Sequence, residues 1–277
     1  MSNLRAYFSE RFPLQITIPH SLATASLLVA ISSTEPNWSV MICIATGFLF
    51  FMLRMRVTDE FKDSSHDTAN YPDRPVQRGI ISRTQLIGIG VISLLIEIAT
   101  AYLAAYFADN LLAAWLYLAI LGYSALTRFE FFVPEFLDRH FNLYFLSHQA
   151  IFILYPLWSF TLLRTELNLV SLGQACAFIL FMASMEIMRK YEIRLNPSGE
   201  IVQDTYLAVW KGAAFWIMLL ITSFCSVFLY LPEQQPIFII IGLLSCLLML
   251  LVRKKNDSVR AVVAITFLLE SGLSFLL

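Results

Sequence analysis

Charge is the first thing this sequence lacks. Only 14% of its 277 residues are Asp, Glu, Lys or Arg, against about 25% in soluble domains. With 58% hydrophobic residues and a mean hydropathy of +0.70, the scarcity excludes a soluble core carried on one anchor. Cysteine is scarce too. Cys43, Cys176, Cys225 and Cys246 lie in apolar runs without a CxxC or Cys/His pattern, so they read as small buried hydrophobes, not disulfides or zinc ligands. The stretch Met1–Pro19 carries Arg5, Glu10 and Arg11 but lacks a small-residue cleavage site. It reads as a short surface segment entering a span and not as a signal peptide. The net charge of −1 leaves no expectation of a nucleic-acid partner.

What is present is hydrophobic length. A bilayer core needs about 20 apolar residues per helix. Nine stretches qualify: 13–33, 38–55, 85–107, 111–126, 141–163, 167–188, 209–231, 236–252 and 261–277. The reading is an all-α, multi-pass integral membrane protein of nine transmembrane helices, with residues 1–277 forming a single domain. Positive charge is nearly missing from one side of that arrangement. Eighteen of the 19 basic residues fall in the N-terminal segment and the even-numbered connections, and Arg164 alone falls on the other side. The positive-inside rule then makes those connections cytoplasmic. Two of them are long, 56–84 and 189–208, and follow the second and sixth helices. That offset of four hints at an internal duplication.

The first long connection carries Asp59, Glu60, Asp63 and Asp67. Asp59, Asp63 and Asp67 step by four, which on a continuous helix sets three carboxylates on one face. Uncompensated, they repel one another. Hard oxygen ligands at a membrane surface suit Mg²⁺, which bridges to substrate phosphates. Asn70-Tyr-Pro-Asp-Arg-Pro-Val-Gln-Arg-Gly79 follows. Pro72, Pro75 and Gly79 force a turn, bringing Arg74 and Arg78 near the acids in sequence. Carboxylates for a metal beside arginines for phosphate oxygens are the two halves of a diphosphate site. A solvated charged loop is the plain alternative.

In the second long connection Glu186, Lys190 and Arg194 repeat the same spacing, flanked by Arg189 and Glu192, with Asp204 further on. Glu186 ends an apolar run and needs a partner or a metal. An internal Glu186–Lys190 salt bridge is the competing reading. Gly122-Tyr-Ser-Ala-Leu-Thr-Arg128 closes the fourth span. There Arg128 is either a snorkelling anchor or a phosphate contact, with Tyr123 lining a cavity. Glu97 and Glu270 lie deep in the third and ninth spans, where an ionisable group usually faces a cavity or a partner. His20 and His148 read as packing or helix-to-helix hydrogen bonds.

These residues resemble the UbiA superfamily of intramembrane prenyltransferases. Asp59-Glu60-Phe-Lys-Asp63-Ser-Ser-His-Asp67 looks like the family's N-D-x-x-D-x-x-x-D. Pro72-Asp-Arg74-Pro75-Val-Gln-Arg-Gly79 looks like its Pro-x-Arg-Pro-(Ile/Val)-x-x-Gly, and Tyr123-Ser-x-x-x-Arg128 like its Tyr-Ser turn. The second motif departs: the family has D-x-x-x-D where this chain has Glu186 and Lys190. Protonated lysine cannot ligate Mg²⁺ but can contact a diphosphate, and Asp204 is a replacement carboxylate. The resemblance implies a nine-helix bundle around a central cavity, with its active site on the cytoplasmic side. There an allylic isoprenyl diphosphate ionises with Mg²⁺ and the prenyl group passes to a lipophilic or aromatic acceptor among membrane lipids. A cyclase of the same superfamily, using no acceptor, is the alternative. On this reading the catalytic set is Asp59, Asp63, Glu97, Glu186 and Lys190. The substrate-binding set is Arg74, Arg78, Tyr123, Arg128, Arg189 and Arg194. The metal set is Asp59, Glu60, Asp63, Asp67, Glu186 and Asp204.

Overall fold

The computed structural model describes residues 3–33, 35–233 and 235–277, with backbone alone for 230–233. Among the described residues it is all-α with no strand. The chain divides into two compact units, Met1–Ala25 with Asn37–Leu163, and Ser26–Pro36 with Arg164–Leu277.

The first unit holds α1 (Asn3–Arg11), most of α2 (Leu14–Ala30), α3 (Trp38–Lys62), α4 (Ser64–Asn70), α5 (Arg83–Phe107), α6 (Leu112–Arg128), α7 (Pro134–Arg139), α8 (Phe141–Gln149) and α9 (Ile151–Leu162). Local sequence sets several of these starts. Asn37 caps α3 by accepting from the Val40 amide at 3.1 Å. Ser82 and Gln85 form a reciprocal capping box on α5. Gly79 turns the connection between them at a φ of 70°, a left-handed conformation open to glycine. The α3 helix packs along α5, α5 on α6, and α6 on α9. At the α3–α5 seam a Cβ on Gly47 would stand 2.8 Å from the Thr100 hydroxyl, so only glycine lets the helices approach so closely.

The second unit holds α10 (Leu169–Arg189), α11 (Tyr206–Trp210), α12 (Ala213–Glu233), α13 (Pro236–Val252) and α14 (Asn256–Leu276). Asn168 and Ser171 form the box that starts α10. Here α10 packs on α12, α12 on α13, α13 on α14, and α14 closes back on α10. Each unit thus follows a long apolar helix with a charged connection, the pattern behind the suspected duplication.

All nine apolar stretches of the sequence are helical over most of their length. By length and hydropathy α3, α5, the α8–α9 pair, α10 and α14 can each cross a membrane, and the bent α1–α2 pair makes a sixth. The helices α6 and α13 and the segment Ala213–Leu229 of α12 are apolar but shorter. Large apolar side chains stand exposed along α5 (Ile87, Val91, Ile92, Leu95, Ile98), as expected of a helix whose outer face meets lipid.

Candidate functional site

The acidic connection is not one helix. The α3 helix carries Asp59 and Glu60, ends at Lys62, and is capped by Asp63 at φ −91°, ψ 11°. The α4 helix restarts at Ser64 and carries Asp67. The expected face of Asp59, Asp63 and Asp67 in continuous register is therefore corrected. Three stacked carboxylates repel, and the break lets Asp67 turn to cations instead. Among the described residues no three Asp, Glu, His or Cys side chains converge as a ready-made metal cage.

The four acids separate into two pairs. Glu60 and Asp67 are buried. Glu60 accepts from Arg11 Nε at 2.6 Å. Asp67 pairs with Arg74, lies 3.9 Å from Arg11 Nη2, and meets His66 Nδ1 at 3.5 Å. Burial alone pushes the Asp67 carboxyl up, but the His66 hydrogen bond and the Arg74 guanidinium overcome it and hold it below the ordinary carboxylate range. Arg74 also stacks on the Tyr71 ring, 3.9 Å from its centroid. Asp59 and Asp63 are more open, with side chains 33% and 44% exposed. Their ion pairs are longer, Asp59 with Arg56 at 3.9 Å and Asp63 with Lys62 at 3.8 Å.

The N-terminal segment is part of this site, which its sequence position concealed. Tyr7 of α1 is fully buried in an apolar cluster with Val57, Ile81 and Leu86. Glu10 accepts from Arg78 at 2.7 and 2.8 Å, so Arg78 ties the connection to α1. The aromatic run Tyr7, Phe8 and Phe12 around the charged Glu10 and Arg11 was the available signal of a docked arm.

Lys62, also unforeseen, lies 3.3 Å from Glu130 and 3.4 Å from the Tyr144 hydroxyl. Tyr123 donates to the Ser147 carbonyl at 2.7 Å and packs edge-on against Phe131. The His148 ring packs at a tilt of 31° against Tyr144, and its Nδ1 meets the Tyr144 carbonyl at 2.9 Å. Arg128, half-buried at the end of α6, forms no hydrogen bond or ion pair among the described residues.

Deeper in the first unit, Glu97 of α5 accepts from Arg54 Nε at 2.6 Å and Nη2 at 3.0 Å. Arg54 also donates to Ser124 at 3.0 Å. Glu97 is 0% exposed. Beside this pair lies a cavity of about 10 Å³ lined by Phe48, Thr100, Tyr117, Tyr155 and Trp158 as well as Glu97. That is room for about one water.

In the second unit the expected register of Glu186, Lys190 and Arg194 also breaks, because α10 ends at Arg189 and Lys190 is its C-cap. A tight excursion follows, closed by the isolated bridge between Leu195 and Ile201. Glu186 accepts from Arg189 at 2.9 and 2.8 Å and from the Tyr206 hydroxyl at 3.2 Å. Arg194 pairs with Glu192 and lies 3.7 Å from Asp204. Arg260 lies 3.6 Å from Glu192. Glu186, Glu192 and Asp204 thus each have a basic neighbour. Deep in α14, Glu270 accepts from Ser226 of α12 at 2.6 Å, a helix-to-helix bond of the kind that holds buried polar groups in membranes.

The geometry has counterparts. The chain matches the UbiA prenyltransferase family over residues 21–269. Its structure is similar to the apo structure of a UbiA homolog from Aeropyrum pernix K1, at a TM-score of 0.61 and 16% identity, covering 95% of this chain and 98% of that one. It is also similar to a digeranylgeranylglyceryl phosphate synthase, at a TM-score of 0.57 and 13% identity, covering 99% and 100%. No curated protein matches the sequence. At such identities the structural likeness concerns the fold, while the family match runs through both units and nearly the whole length. The chain belongs to the UbiA prenyltransferase family and is an all-helical integral membrane protein of prenyltransferase type.

Proposed function

We propose that this protein ionises an allylic isoprenyl diphosphate with Mg²⁺ and transfers the prenyl group to a lipophilic or aromatic acceptor in the membrane. The observation that carries the reading is one connection, after α3, that sets open carboxylates beside arginines in a chain of this family. The family match through both units supports treating residues 1–277 as one catalytic domain, and the basic connections support a cytoplasmic site.

The donor set fits Mg²⁺. That ion takes one or two carboxylates, retains waters and binds substrate phosphates, so a full protein cage is not required. Asp59 and Asp63 supply exposed hard oxygens with loosely held counter-charges. Asp67 lies in the same connection, buried against Arg74. When bound, the metal neutralises charge on the departing diphosphate. Arg74 and Arg128 hold phosphate oxygens, and Arg128 has no internal partner to give up among the described residues. Arg78 acts by holding α1 in place. Within the second unit Lys190, Arg189 and Arg194 are cations suited to phosphate oxygens, while Glu186 and Asp204 lie against Arg189 and Arg194 and hold at most one metal. Tyr123 is a wall residue fixed by its bond to Ser147. Glu97, forked by Arg54, is read as the support of an aromatic wall and not as an acid or base.

The departure at Lys190 keeps acceptor-free cyclisation as a second reading. Incubating the purified protein with labelled geranylgeranyl diphosphate, with and without a lipid extract, separates them. Acceptor-dependent product supports transfer. Acceptor-free hydrocarbon supports cyclisation. No release of diphosphate contradicts both.

A further inference from the structure

We propose that Arg11 is a positioning residue that divides the acidic motif into a neutralised half and a metal-recruiting half. The inference rests on the metal–diphosphate reading above. Arg11 is not a mobile surface arginine. Its helix is fixed by buried Tyr7 and by the Glu10–Arg78 pair. Its guanidinium bonds Glu60 at 2.6 Å and points Nη2 at Asp67 from 3.9 Å. With Arg74 on Asp67, two arginines balance two buried carboxylates.

The other two acids differ in kind. Asp59 and Asp63 have side chains at least one-third exposed, and their ion pairs with Arg56 and Lys62 span 3.9 and 3.8 Å at the surface. A divalent ion displaces such contacts readily but must break a buried charge-assisted bond to win Glu60. Glu60 Oε2 has no hydrogen-bond partner among the described residues, so Arg11 is what keeps that carboxylate from seeking another cation. Arg11 therefore keeps Glu60 out of the metal set. It also holds the metal affinity of the diphosphate-free site down, because its charge offsets one acid within the motif.

The test is Mn²⁺ binding to the purified full-length protein, read by electron paramagnetic resonance without substrate. Arg11→Gln removes one positive charge and should raise Mn²⁺ affinity by at least about tenfold. The Arg11→Gln/Glu60→Gln double variant removes the pair together and should return affinity to within about threefold of native. Unchanged or weaker binding in Arg11→Gln overturns the proposal. So does a double variant much weaker than native, which would make Glu60 itself a ligand. Should Arg11→Gln fail to fold, the double variant is compared with Glu60→Gln alone, which keeps the Arg11 charge: the double variant should bind Mn²⁺ at least about tenfold more tightly, and equal binding overturns the proposal. Asp59→Asn/Asp63→Asn checks the underlying reading separately. Mn²⁺ binding with inorganic pyrophosphate that survives in that variant contradicts the metal site itself, whatever Arg11 does.

Discussion

Replacing Glu97 with glutamine should be among the most damaging single changes away from the charged connection. Glu97 is fully buried and takes two hydrogen bonds from Arg54, which is itself only 14% exposed. The variant leaves the arginine charge buried without its counter-ion, at a cost of about 3–5 kcal/mol. For a unit of this size that corresponds to a fall in thermal midpoint of roughly 6–20 °C. Arg54→Met/Glu97→Met removes both charges and should recover most of the loss. Ser124 loses Arg54 in that variant but still donates to the Leu121 carbonyl at 2.8 Å. Thermal unfolding in detergent reads both. A Glu97→Gln midpoint within about 2 °C of native would refute the buried pair. A stable double variant without diphosphate release would show that the Arg54–Glu97 pair takes part in the chemistry.

Other consequences are equally specific. Lys190→Met should slow diphosphate release by about one to two orders of magnitude, since a charge-assisted phosphate contact contributes roughly 1.5–3 kcal/mol; native activity would make Lys190 a surface anchor. Asp67, with its carboxyl held below the ordinary range, contributes stability that is fully present above the ordinary value of 3.8 and is lost as pH falls through its lower folded value. The midpoint difference between native and Asp67→Asn should therefore stay constant from neutral pH to about pH 4 and vanish below it; a difference already lost at pH 5 would contradict the Arg74 pairing. Cysteine labelling should place positions near Arg74 and Arg194 on one side of the membrane and a position near Arg164 on the other; one side for all three would refute the orientation.

Much of the helical layout was legible, because twenty-residue apolar runs have few alternatives in a bilayer. Local pairings were harder. Spacing by four suggested continuous faces through Asp63 and Lys190, but both residues are helix ends. Nothing in a spacing rule says that repulsion will be relieved by breaking the helix. Arg11 and Glu60 are 49 residues apart and Arg54 and Glu97 are 43 apart, so tertiary packing decides those pairs. The second was nonetheless foreshadowed. An arginine at the end of one apolar run and a glutamate within the next are both too costly to leave alone. The open character of Asp59 and Asp63, against the enclosed Glu60 and Asp67, depends on side-chain exposure that the sequence does not display.

The central claim is that open carboxylates after α3 drive Mg²⁺-dependent ionisation. Its most direct test is diphosphate release from labelled geranylgeranyl diphosphate by native protein and by Asp59→Asn/Asp63→Asn, each with Mg²⁺ and with a chelator. Release by native protein that falls to background in chelator and in the folded variant is the predicted result. Release that continues unchanged in either case would contradict it.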